Sequence, residues 1–229
     1  YHNIHAAIAV SHKLKESLYR HFSITADVVP NLLGKEFYYT APNNNEAFTI
    51  VSVGRLDHGK GFDLLIQALL KIKDKLPQNW QVKIIGSGEW RDILQREINT
   101  SNLQNNIVLL GQKNKQEIVQ LLQQSDLFVL PSRSETFGVV YIEAMACGLP
   151  IIATDCGGPR DIVTKDNGLL IPNEDVDALG EAILYMVENI DKYDRKAIAE
   201  DCQARFSPKV IAKQLTQIFE DTIKNAKNK

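Results

Sequence analysis

The sequence predicts an α/β fold built on a doubly wound parallel sheet. Three observations predict it. From Phe48 onward, apolar runs of four to six residues alternate with longer mixed stretches. The runs are predominantly apolar, as strands buried on both faces are. The mixed stretches carry apolar residues at three-and-four spacing, the period of a helix with one face on a core.

The elements follow in order. AAIAV is an apolar strand, Ser11 caps a helix KLKESLYRHF, and TADVVPN is a short strand ending at Pro30 and Asn31. LLGKEFYYTAPNNNEA lacks periodicity and ends in a polar, turn-rich cluster, so it reads as a linker. Then FTIVSVG is a strand and GFDLLIQALLKIKDKL a helix. WQVKIIGSG is a strand and EWRDILQREINTS a helix. NIVLLG is a strand and NKQEIVQLLQQS a helix. DLFVLP is a strand and VVYIEAMACG a helix. LPIIAT is a strand and GGPRDIVTK a short helix. NGLLIP is a short strand, followed by three helices in DVDALGEAILYMVENI, AIAEDCQARF and PKVIAKQLTQIFEDTIKNA. The chain opens on Tyr1, not methionine, and enters a strand almost at once, so it reads as a piece of a longer protein.

Composition narrows the function classes. Of 229 residues, 44% are hydrophobic and 24% charged, which fits a globular chain. The net charge of −2 comes from interspersed signs and gives no support to nucleic-acid binding. Three cysteines, Cys147, Cys156 and Cys202, lack CxxC spacing, so free thiols in a reducing cytoplasm are expected. No apolar run approaches the roughly 18 residues of a membrane span. His2, His5, His12, His21 and His58 have no carboxylate-rich metal spacing, and no metal is expected.

Ligands of doubly wound sheets bind beyond the carboxyl ends of the strands, so those positions carry the candidate chemistry. After FTIVSVG come Arg55 and Lys60, with Gly61 opening a helix. Two cations beside free helix amides suit an anion; two solvated surface cations are the plain alternative. Gly86-Ser87-Gly88 follows the second strand and lacks the third glycine of the dinucleotide fingerprint, where Arg91 stands instead. A tight turn capping the next helix is its bland reading. Gly111-Gln112-Lys113 is either a base-side loop or a turn. Asp155-Cys156-Gly157-Gly158 allows close approach to a ligand, or is a plain turn.

The densest stretch is SETFGVVYIE. Glu135 falls in a loop, Gly138 at the swing into a helix, and Glu143 about one turn inside it. The amides of Thr136, Phe137, Gly138 and Val139 stand at a helix start, where donors lack intrahelical partners. Two acids with seven residues between them flank this turn. One such acid is a surface residue favoured by the helix dipole; two around a strand-end glycine weaken that explanation.

Together, VSVGRLDHGKGFDLLIQAL, KIIGSGEW, LFVLPSRSETFGVVYIEAMACGLPIIATDCGGPRDIV and NGLLIPNEDVDAL resemble retaining glycosyltransferases of the GT-B fold, family four, from about Phe48 to Phe206. The resemblance implies the C-terminal, Rossmann-like half of a two-domain enzyme. Residues 1–45 would be the end of the N-terminal acceptor domain and a linker. Residues 46–229 would be the nucleotide-sugar domain, with a last helix near 207–227 crossing back.

By resemblance, Arg55 and Lys60 contact the donor diphosphate and Glu143 the ribose. Glu135 contacts the sugar and is counted catalytic, and the backbone of Thr136, Phe137, Gly138 and Val139 touches sugar and phosphate. The loops at Gly86 to Gly88 and at Gln112 and Lys113 border the base. No cofactor is implied beyond the nucleoside-diphosphate sugar donor, with UDP, GDP and ADP all open. Asp57-His58-Gly59 departs from the acidic residue that often precedes the lysine. The acceptor would be a glycan or lipid, as in cell-envelope polysaccharide synthesis. The protein would be cytoplasmic, at most peripheral at the inner face of the membrane. A nucleotide-sugar-binding module and a sugar-nucleotide epimerase are the alternatives; the EAMA segment argues against the epimerase.

Overall fold

The computed structural model describes residues 5–41 and 46–227. Tyr1, His2 and the Pro42–Asn45 part of the expected linker lie outside them. The main sheet has six strands: β3 (Phe48–Val53), β4 (Trp80–Ile85), β5 (Ile107–Gly111), β6 (Leu127–Leu130), β7 (Ile151–Thr154) and β8 (Gly168–Ile171). Two short strands precede them in the chain, β1 (Ile8–Ala9) and β2 (Asp27–Val28), which pair in parallel as a separate ribbon.

The order in the main sheet is β5-β4-β3-β6-β7-β8, and every pairing is parallel. Each strand is joined to the next through a helix or helical turn. The winding reverses between β3 and β6, the order of a doubly wound sheet. Burial explains why these runs are strands: Leu127, Phe128, Val129 and Leu130 of β6 are all fully buried. The polar exceptions bond within the sheet, as buried polar groups must. Ser52 donates its hydroxyl to the Val129 carbonyl, and Thr154 donates to that of Ser132.

Helices α1 (His12–Phe22), α2 (Phe62–Ile72), α3 (Arg91–Thr100), α4 (Lys115–Gln123), α5 (Val139–Ala146), α6 (Val176–Asn189), α7 (Arg195–Phe206) and α8 (Pro208–Lys227) complete the chain. Ser11 caps α1 as expected, accepting from the Leu14 amide at 3.3 Å. Asn114 and Glu117 form a reciprocal capping box on α4. In α2, Leu65, Ile66, Ala68 and Leu69 are fully buried, and each large aliphatic side chain there contributes about 1.5–3 kcal/mol of burial.

Three expectations shift. GGPRDIVTK forms only a 3₁₀ turn at Gly158–Asp161, because the Asn167 and Arg205 side chains take the Asp161 and Ile162 carbonyls and the Thr164 amide that a longer helix would use. The carboxyl ends of the α2 and α6 regions tighten into 3₁₀ turns at Lys73–Lys75 and Ile190–Lys192. The aperiodic segment after Asn31 is well packed: Leu33 and Phe37 are buried, and the Leu33 amide donates to the Phe206 carbonyl at 2.8 Å. Its side chains follow the surface they cover, so no regular period marks them.

Candidate functional site

The carboxyl ends of β3 and β6 meet at the point where the winding reverses, since Ile50 pairs with Leu127 and Val51 with Phe128. Beyond β3 the chain turns through Asp57 into a 3₁₀ turn, His58–Lys60, and then into α2. Beyond β6 it runs through Ser132, Arg133 and Glu135 into α5. Lys60 and Glu135, 75 positions apart, thereby form an ion pair. Their side chains are 25% and 11% exposed, so the pair is partly shielded from water. The Ser132 hydroxyl also donates to the same Glu135 oxygen at 3.1 Å.

The two cations do not sit together as one open anion site. Arg55 is 78% exposed and donates its Nε to Asp57, while Lys60 is held by Glu135. Each cation has a carboxylate of its own, so the site is internally neutralised. Asp57, first residue of the Asp57-His58-Gly59 stretch that departs from the family pattern, is the residue that holds Arg55.

Gly138 has φ 97° and ψ 62°, and the N-terminus of α5 that it opens has no side-chain cap. The Tyr141 amide closes back on the Gly138 carbonyl at 3.1 Å, so the donors left at this helix start are those of Val139 and Val140. A Cβ on Gly138 would stand 2.5 Å from Cδ2 of Tyr141, so a side chain is excluded twice over. The Phe137 ring turns inward against Phe206, with centroids 5.9 Å apart. Only its backbone is left for a ligand. The Thr136 carbonyl accepts from the Ser11 hydroxyl at 2.7 Å, which ties the cap of α1 to this turn. The Glu135 backbone is bridged to Gly157 from the β7 side.

Glu143 lies one turn into α5, as expected, but its carboxyl is not an ordinary ionised one. Burial pushes it up to about 7, against the pull of Lys115, while Glu36 adds to the rise. Tyr141, beside it, is fully buried and donates to the Leu130 carbonyl at 2.7 Å.

Gly86, Gly88, Gln112 and Lys113 line one groove of about 390 Å³ together with Arg55. The Gly88 carbonyl accepts from the Arg91 amide at 3.2 Å at the start of α3, and the glycines also serve close packing. A Cβ at Gly86 would strike the Gly54 carbonyl, and one at Gly88 the Leu56 carbonyl. They let the loops after β3 and β4 lie backbone to backbone, with the Leu56 amide donating to Ser87 at 2.9 Å. Lys113 also contacts Glu117 at 3.1 Å.

Sequence reasoning missed Arg133. It makes a bidentate pair with Asp63 of α2, at 2.9 and 2.6 Å. It stands inside PSRSE, but nothing in the spacing points to a partner 70 positions earlier. The three cysteines are free, and burial pushes Cys147 and Cys202 up to about 12, so those two are poor nucleophiles. Among the described residues, no group of three or more His, Cys, Asp or Glu side chains could hold a metal ion. Among them, too, no helix is long and apolar enough to cross a membrane.

Comparison with known proteins agrees with this architecture. Residues 39–201 match the family described as glycosyl transferases group 1, and the chain belongs to that family. It is 34% identical over 195 residues to an uncharacterized glycosyltransferase of Methanocaldococcus jannaschii, covering 85% of this chain and 52% of that protein. It is 32% identical to a GDP-mannose-dependent phosphatidylinositol monomannoside mannosyltransferase of Corynebacterium glutamicum, covering 72% and 45%. Among solved structures, it superposes on Anabaena HepE in complex with UDP-glucose with a TM-score of 0.82 at 25% identity, covering 94% of this chain and 64% of that one. The chain spans about half the length of these curated relatives.

Proposed function

We propose that the chain is the donor-binding half of a retaining glycosyltransferase. One observation carries the reading: Lys60, Glu135 and the uncapped N-terminus of α5 converge where β3 and β6 part. The relatives support it. One is named as GDP-mannose-dependent, and HepE was solved with UDP-glucose.

In this reading the donor lies across the crevice. Its diphosphate takes the Lys60 ammonium and the amides of α5, with Arg55 swinging from Asp57 to add charge. The ribose hydroxyls donate to Glu143, and the base enters the groove of Gly86, Gly88, Gln112 and Lys113. The sugar lies beside Glu135, with the backbone of Thr136, Phe137, Gly138 and Val139 around it.

During transfer the bond from the anomeric carbon to the phosphate oxygen breaks, and the nucleoside diphosphate leaves with the electron pair. The acceptor hydroxyl oxygen bonds the same carbon on the same face, and its proton passes to the departing phosphate. Fixed cations and helix amides stabilise the growing negative charge. Glu135 supports the oxocarbenium-like sugar by charge. Two cations supply the neutralisation a metal would give, so we propose metal-independent transfer. We assign acceptor recognition to the remainder of the full-length protein, a cytoplasmic enzyme peripheral to the membrane when its acceptor is a lipid. The isolated chain should then bind donor without efficient transfer.

Calorimetry of the chain with UDP, GDP and ADP tests the assignment. Lys60→Ala should weaken diphosphate binding by about tenfold or more, and Glu143→Ala should weaken it through the nucleoside. If neither variant changes the affinity of the nucleotide that binds, the site is elsewhere.

A further inference from the structure

The loop that carries Glu135 is tied to two other strand-end loops by one side chain. Arg133 Nη1 donates to the His58 carbonyl at 2.7 Å and to Asp63 Oδ1 at 2.9 Å. Its Nη2 donates to Asp63 Oδ2 at 2.6 Å, and its Nε to Glu174 at 2.9 Å. Its backbone joins in: the Arg133 amide donates to the Gly59 carbonyl at 2.8 Å, and the Arg133 carbonyl accepts from Asn173 at 3.0 Å. The loop after β3, the loop after β6 and the loop after β8 thus converge on one residue.

Shielding makes these bonds stiff. The side chains of Arg133 and Asp63 are only 14% and 15% exposed. Fork-to-fork pairing fixes orientation as well as distance, which a lysine cannot do. The contacts on the β3 side, His58, Gly59 and Asp63, flank Lys60 on both sides. On the β6 side, Glu135 is two residues along. The Arg133 guanidinium is taken up by Asp63, Glu174 and the His58 carbonyl, and none of its hydrogen bonds goes to Lys60 or Glu135.

We propose that Arg133 is a positioning residue: held by Asp63, it sets the separation between the Lys60 ammonium and the Glu135 carboxylate. Only what those two groups hold rests on the donor reading above; the clamp itself does not.

Arg133→Lys tests it, because it preserves the charge of the site and removes the fork. Asp63→Asn, which keeps the shape of the partner, is the second variant. Hydrogen exchange followed by mass spectrometry should show about tenfold faster exchange in residues 57–63 and 131–138, with the amides of β4 and β5 unchanged. Binding is measured with the nucleoside diphosphate that the wild-type chain takes and with its nucleoside. The diphosphate should bind about tenfold more weakly to Arg133→Lys, and the nucleoside equally well. Unchanged exchange in both loops, or an equal rise across the whole sheet, overturns the proposal. So does an equal loss for nucleoside and diphosphate. If the wild-type chain binds none of UDP, GDP and ADP, the donor reading fails, and the exchange data still decide the clamp.

Discussion

At pH 7 the Glu143 carboxyl stands near the midpoint of its titration, because burial pushes it up to about 7. In the unfolded chain a glutamate titrates near ~4.3. Between those values the folded chain keeps a proton that the unfolded chain has released. Stability is therefore lost as pH rises through that window, by an amount on the order of 3–4 kcal/mol. Glu143→Gln should flatten this slope, and thermal unfolding between pH 5 and 8 measures it; parallel curves for the two proteins would refute the account. If both ribose hydroxyls donate to Glu143, binding favours its ionised form, which accepts at both oxygens. Calorimetry at pH 6.5 in buffers of different ionisation enthalpy should then show proton release on nucleotide binding. Lys60 offers a second residue-scale outcome. Glu135→Gln removes the carboxylate that competes with the diphosphate, so nucleotide binding should tighten by about three- to tenfold while transfer by the complete enzyme falls. Weaker nucleotide binding in that variant would mean that Glu135 helps to hold the diphosphate.

Among the elements, α5 is the one whose local sequence is bent to the site. Its N-terminus has no capping side chain, and its first glycine is held at φ 97°. Gly138→Ala should cost about 1–3 kcal/mol, from backbone strain and from the contact with Tyr141. Urea unfolding measures this, and a loss within error would mean that the turn relaxes. Most elements were legible from the sequence, because strand runs and helix periods are local patterns. Exceptions lie where packing replaced periodicity, as at Leu33 and Phe37, or where Asn167 and Arg205 take the carbonyls that would extend a helix past Asp161. The candidate residues themselves were legible from motif and strand-end position. Their partners were not: Asp57 holds Arg55, and Asp63 holds Arg133 across 70 positions.

For the molecule as a whole, large apolar side chains are exposed at several places among the described residues, and the last helix carries two of them on one face. Tyr19 and Phe22 of α1 are 65% and 54% exposed, and Phe219 and Ile223 of α8 are each 55% exposed. Phe219 and Ile223 are spaced to share one face of α8. Such a face invites association. The chain should self-associate at high concentration, and Phe219→Glu with Ile223→Glu should reduce this. Sedimentation velocity decides it; a wild-type monomer at every concentration would contradict it.

By itself the sequence determined the α/β class, the alternation of elements and the family, with its candidate cations and paired acids. Each of these is written in local period or in a short motif. Tertiary structure alone decided which charges meet. Placing β3 beside β6 brings Lys60 to Glu135 and Arg133 to Asp63, and the burial of Glu143 on α5 pushes its carboxyl up to about 7. The physical reason is that ion pairing and desolvation depend on distance and on exclusion of water. Both arise only when segments some seventy positions apart pack together.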